Sequence, residues 1–182
     1  MHLWIQYIRR PMSLPDKKYQ KEAHLSALIA LGMILFIFEA FIPRPIPWLK
    51  LGLANMATLI ALYWYGPLSA LLVSVYRILL GSLFVGTFLT PGFFLSLSGG
   101  IAAVLGMILM VRAHLFGIWA VSVVGAAFHS AGQLFVGYLL LLHNPIIIQL
   151  FPIMLLYGLV SGTFIAYFSL LILQRLKKEF AF

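Results

Sequence analysis

The sequence predicts an all-α integral membrane protein with six transmembrane helices and both termini in the cytoplasm. Composition comes first: 63% of the 182 residues are hydrophobic and 9% are charged, against roughly 45–50% and 25% in a soluble domain. A water-soluble globule needs more polar surface, and a disordered chain needs low hydrophobicity and high charge. The second observation is a set of apolar runs near the ~20 residues that cross a bilayer as helix. The third is a one-sided distribution of Lys and Arg along the chain. Cysteine is absent, so no disulfide or thiolate metal site exists.

Residues 1–22 form a basic segment, cytoplasmic or interfacial, ahead of a transmembrane domain at 23–175 and a short tail at 176–182. Leu3, Trp4, Ile5, Tyr7 and Ile8 precede Arg9, Arg10, Lys17, Lys18 and Lys21. That order fits a frayed terminus, or aromatics in the headgroups with Arg and Lys on anionic lipid. No apolar core precedes a small-residue cleavage site, so no signal peptide is expected. Apolar length and Gly/Pro punctuation place the spans at about 23–42, 51–65, 68–88, 92–111, 116–142 and 146–173. Pro43, Pro45 and Pro47 alternate between the first two. Each fixes φ and disfavours helix in the residue before it, which predicts a stiff extended loop. Gly66-Pro67, Pro91-Gly92 and His143-Asn144-Pro145 mark later breaks. Pro152 is expected to kink the last helix one to two turns in.

With six spans both termini share a side. That side carries nine basic residues: Arg9, Arg10, Lys17, Lys18, Lys21, Arg112, Arg175, Lys177 and Lys178. The other carries Arg44 and Lys50. The positive-inside rule puts the nine in the cytoplasm, and the net charge of +8 reads as membrane anchoring rather than nucleic-acid binding. An odd number of spans would split the two terminal clusters.

An ionisable group in the bilayer costs several kcal/mol unless partnered, so each one is a functional candidate. At ~1.5 Å per residue, Glu39 stands roughly 24 Å up the first span, Arg77 roughly 14 Å up the third and His129 roughly 20 Å up the fifth. Gln133 lies one turn above His129 on the same face. Asn55 is just inside the second span, Lys50 lies above it, and Arg44 overhangs from the Pro-rich loop. Each group has a structural alternative: an ion pair for Glu39 with Arg77, helix–helix hydrogen bonds for Asn55, His129 and Gln133, solvated or snorkelling charges for Arg44 and Lys50. Polar groups from four segments at one depth point instead to an outward-facing cavity for a ligand with an anionic head, apolar side chains holding its tail. Small-residue spacings at Ala23-x-x-x-Ala27, Ala102-x-x-x-Gly106 and Gly158-x-x-x-Gly162-x-x-x-Ala166 allow close helix approach. The first also suits a docking groove for a partner.

The acidic residues are Asp16, Glu22, Glu39 and Glu179. Such scattered carboxylates give no cluster for magnesium-dependent chemistry, so no catalytic residue, metal or cofactor is expected. A G-x-x-x-x-G-K-[ST] loop is also absent, which leaves any ATP use to other chains.

The blocks K-L-G-L-A-N (50–55), R-x-L-L-G (77–81), S-x-x-G-G (96–100) and G-A-x-x-H-x-x-G-Q (125–133) resemble the membrane family called heptaprenyl diphosphate synthase component I, or Gx transporter. The resemblance covers about residues 25–142. That family is similar to the substrate-binding S components of energy-coupling factor (ECF) transporters. The resemblance implies a six-helix bundle that binds a vitamin-like ligand near the outer face. It also implies docking on a transmembrane coupling subunit with ATPases, through an Ala-x-x-x-Ala motif that Ala23 and Ala27 fit. It marks Lys50, Asn55, Arg77, His129 and Gln133 as functional positions. The family label further implies isoprenoid metabolism, and some relatives are tied to flavin- and quinone-linked electron transfer. The paired Asp-rich motifs of a prenyl synthase are missing. Three readings follow: a transporter's substrate-capture subunit in the cell membrane, a non-catalytic accessory subunit of an isoprenoid or quinone pathway enzyme, and an assembly factor for a membrane redox complex.

Overall fold

Glycine and proline divide this chain into helices, and the breaks at Gly66-Pro67 and Pro91 are visible in the backbone. The computed structural model describes residues 18–43, 52–114, 117–142 and 149–180. Helix α1 runs Lys18–Phe41, α2 Asn55–Tyr65, α3 Pro67–Val85, α4 Pro91–Arg112, α5 Ile118–Gly137 and α6 Phe151–Phe180. At its end α5 passes into a π-helical turn, Tyr138–Leu142. Among the described residues there is no strand. The N-terminal aromatic and basic segment, the Pro-rich loop with Arg44 and Lys50, and the His143-Asn144-Pro145 break lie outside the described residues.

Gly66 shows how a break is made. Its φ of 90° is left-handed, a conformation that glycine alone adopts without a Cβ penalty. Its N–H closes α2 on the carbonyls of Ala61 and Leu62. Pro67 then opens α3, where a missing N–H loses no helical bond. Pro91 opens α4 in the same way. Pro152, expected to kink the last helix, sits instead in its first turn, because α6 begins at Phe151. A proline there lacks only a donor that the helix would leave unused.

Five helices, α1 and α3 to α6, are long and apolar enough to cross a membrane. The expected second span is the 11-residue α2, about 16 Å long, roughly half the hydrocarbon thickness. Eight of its residues are buried, so α2 is the axis of the bundle. It packs on α3, α1, α6 and α4. Around it α4 packs on α5, α5 on α6 and α1 on α3. The core runs through Leu59, Ile60, Val73, Val104, Met107 and Val121. Outward, large apolar side chains such as Phe41, Leu68, Phe84 and Val160 are more than 70% exposed, as they are on a surface solvated by lipid.

Two of the small-residue spacings are internal packing. Gly158 faces Ala126, and Gly162 faces Val123 so closely that a Cβ would stand 2.9 Å from its Cα. Ser122 Oγ donates to the Gly162 carbonyl at 2.7 Å across the same α5–α6 seam. Gly106 receives the Phe128 ring between α4 and α5. The third spacing differs: Ala23 and Ala27 are both exposed on α1.

Candidate functional site

The site begins at the turn that starts α2. Gly52 has a φ of 70°, which the absence of a Cβ permits. Its carbonyl accepts the Asn55 N–H at 2.8 Å, and its own N–H donates to Glu39 Oε1 at 2.6 Å. Glu39, near the end of α1, is 3% exposed, so a buried carboxylate ties α1 to the entrance of α2. From α3, Arg77 Nη2 donates to Asn55 Oδ1 at 2.5 Å and Nε to Thr58 Oγ1 at 3.3 Å. Arg77 is also 3% exposed, and the Glu39 charge acts on it across the interior. A buried cation is tolerable on such terms, with a nearby opposite charge and its donors satisfied.

Arginine only donates, so it takes the carbonyl end of the Asn55 amide. The Asn55 Nδ2 end then lies under Gly52, where a Cβ would stand 3.2 Å from it. That end borders a cavity walled by Asn55 and Gly52, by Ala126, His129, Ser130 and Gln133 of α5, and by Met154, Tyr157, Gly158, Ser161 and Ile165 of α6. The cavity takes in about 310 Å³ of atom-free space, part of it open to solvent. It is narrow enough to seat only about one water molecule. The Gln133 Nε2 group is buried with no hydrogen-bond partner among the described residues. Ser130 Oγ and Ser161 Oγ already donate to the backbone carbonyls of Met154 and Gly158. The amides of Asn55 and Gln133 therefore remain as donors to a guest.

Packing fixes the two α5 side chains. Gly99 of α4 lies against them, where a Cβ would stand 2.8 Å from Gln133 Cγ and 2.9 Å from His129 Cε1. This is the structural content of the S-x-x-G-G block. The expected residues thus divide. Asn55, His129 and Gln133 come together on the cavity; Glu39 and Arg77 stand behind Asn55 and are not among its walls; Arg44 and Lys50 lie outside the described residues. Sequence reasoning missed Thr58, one turn after Asn55, and Ser130, next to His129, although both are polar residues inside apolar runs. It also missed the α6 wall, where Ser161 and Tyr157 flank a glycine pattern read as packing.

A multi-pass helical membrane protein with a buried, donor-lined cavity against α2, α5 and α6 is the class these features define. The chain belongs to the heptaprenyl diphosphate synthase component I family, which it matches over residues 28–172. Its fold is that of an S component: the solved S component of a bacterial ECF transporter aligns with a TM-score of 0.67 over 89% of this chain and 98% of that one, at 18% identity. No curated protein sequence matches it.

Proposed function

We propose that this chain is the substrate-binding subunit of a membrane transporter. It captures a small amphipathic or anionic ligand, of a vitamin-, isoprenoid- or quinone-precursor-like class, from the outer side of the cell membrane, and carries out no chemistry itself. The observation that carries this reading is the buried Gln133 Nε2 group, without a hydrogen-bond partner among the described residues, beside an Asn55 amide that Arg77 holds in one orientation. An unmet buried donor is expensive, and a ligand acceptor removes that expense. In this reading Asn55, His129 and Gln133 contact the ligand, Glu39 and Arg77 support Asn55, and Arg44 and Lys50 add positive charge at the mouth. The buried α2 counts as a sixth, short span, and the Lys/Arg bias places both termini in the cytoplasm. Ala23 and Ala27 offer a shallow surface to a transmembrane coupling subunit driven by ATPases. The decisive experiment is mass spectrometry of small molecules retained by the purified protein. Wild type should carry one compound in roughly equimolar amount, and Asn55→Ala and Gln133→Leu should lose it at normal yield. Equal retention in both variants would end this reading.

The family match favours a second reading, a non-catalytic membrane subunit of an isoprenoid diphosphate synthase. Stoichiometric co-purification with a soluble prenyl synthase whose activity depends on this chain would support it.

A further inference from the structure

Below the donor-lined cavity lies a second one. It is walled by Asn55, Leu59, Met107, Ser122, Gly125, Ala126 and Ile165, with about 210 Å³ of atom-free space, part of it open to solvent; like the first it seats only about one water molecule until a side chain moves. The two share Asn55, Ala126 and Ile165, so they lie on either side of one wall. Leu59 is one turn beyond Asn55 on α2, and Gly125 is one turn before His129 on α5. The step from the first cavity to the second therefore runs from the amides toward the end of the bundle that holds Tyr65, Arg112 and Ile118. The chemistry changes on the way. The hydroxyl of Ser122 is already given to the Gly162 carbonyl at 2.7 Å, which leaves the lower walls apolar below Asn55. The lower cavity is also bordered closely by Met107: a Cβ on Gly125 would stand 2.6 Å from Met107 Cγ and 3.2 Å from its sulfur. Methionine is unbranched and adaptable, which makes Met107 the wall residue best suited to yield space beside Gly125.

We propose that the ligand is a slender amphipathic molecule, bound with a carbonyl-type acceptor against Asn55 and Gln133 and an unbranched apolar chain running past Leu59, Met107 and Gly125. This rests on the substrate-capture reading and adds the polarity of the ligand and its direction in the bundle.

The test uses the full chain in lipid nanodiscs, stripped of retained compounds, with n-alkanoates and 2-alkanones of four to ten carbons as probes. Empty nanodiscs correct for partition into lipid. Affinity should rise about fourfold per added methylene, the worth of a buried CH₂, and then stop at the length that fills the lower cavity. Met107→Ala should move that stop to longer chains. Gln133→Leu should weaken every length by a similar factor, and n-alkylammonium ions, protonated at neutral pH and so without an acceptor, should not bind. The alkanoate and ketone series together tell whether the head is charged or neutral. Crosslinking of an alkanoate with a terminal diazirine should mark Met107 or Leu59 in the wild-type protein, a readout that holds even if Met107→Ala does not fold. Binding that ignores chain length, or crosslinks confined to lipid-facing residues such as Phe164, would overturn the proposal and leave substrate capture standing. Amines binding as well as alkanoates would overturn the acceptor head. Failure of every probe would overturn the proposal, and only a protein that also retains no native compound would take the capture reading with it.

Discussion

Arg77 is the residue that orients Asn55 at the upper cavity, without lining that cavity itself. Its guanidinium reaches Asn55 and Thr58, and Glu39 supplies the opposite charge. Breaking a buried charge pair by removing one partner costs about 3–5 kcal/mol, whereas removing both costs less than the sum. Arg77→Leu should therefore lower the thermal midpoint in detergent sharply, and Arg77→Leu with Glu39→Leu should recover part of the loss. Additive losses would show that the two charges are not coupled. Gly99 gives a cleaner separation of site from stability. Alanine there has good helix propensity but meets Gln133 and His129 at under 3 Å, so both must shift. Gly99→Ala should reduce ligand retention at least tenfold, the equivalent of about 1.4 kcal/mol, while a well-folded protein remains. Unchanged retention would mean that the position of these side chains is not critical to binding.

At the scale of elements, what could be read in advance was what composition and punctuation determine locally. The apolar runs and the Gly66-Pro67 and Pro91 breaks led to α3, α4 and α5 within a few residues, because bilayer thickness and missing N–H groups act on the chain directly. Pro152 was misplaced because helix starts depend on the preceding loop, where no local signal separates a first-turn proline from a kink. The shortness of α2 and its burial were likewise hidden, since hydropathy does not distinguish a lipid-facing helix from one enclosed by others. Asn55, His129 and Gln133, which line one cavity, stand out in the sequence because polar groups are rare in such runs. Arg77 was placed in the interior but not behind Asn55, a relation that only α3 packing on α2 determines. The exposed face of α1 carries Ala23, Ala27 and Ala30 toward one end and Ile34, Phe38 and Phe41 toward the other. Small side chains let another helix come close. Ala23→Trp or Ala27→Trp should leave yield and retained ligand intact, since both side chains point away from the bundle, and should abolish uptake and co-purification of a partner. Misfolding of both variants would assign the face to internal packing.

For the whole molecule the open question of greatest consequence is which way the bundle stands in the membrane, because that decides the side from which the cavity is reached. The donor-lined cavity has Gly52 and Gln133 among its walls, at the end of the bundle shared with the Gly86–Thr90 turn. The opposite end holds Lys21, Arg112, Arg175 and Lys177, all exposed. Lys and Arg in short loops are retained in the cytoplasm during insertion, so under the proposed function the cavity is expected to face outward. The proposed ligand chain toward Met107 would then point inward from the outer face, the direction a capture subunit requires. Leu89, 63% exposed in the turn between α3 and α4, is a natural reporter for the outer end, and Lys21 and Lys177 for the inner one. The chain has no native cysteine, so single substitutions report without background. In intact cells an impermeant thiol reagent should label Leu89→Cys and leave Lys21→Cys and Lys177→Cys unmodified until the membrane is permeabilised. Labelling of Lys21→Cys and Lys177→Cys from outside, with Leu89→Cys protected, would invert the bundle and turn the cavity toward the cytoplasm. Labelling of only one of the two terminal sites would mean that α2 does not complete a sixth crossing, since an odd number of crossings separates the ends of the chain.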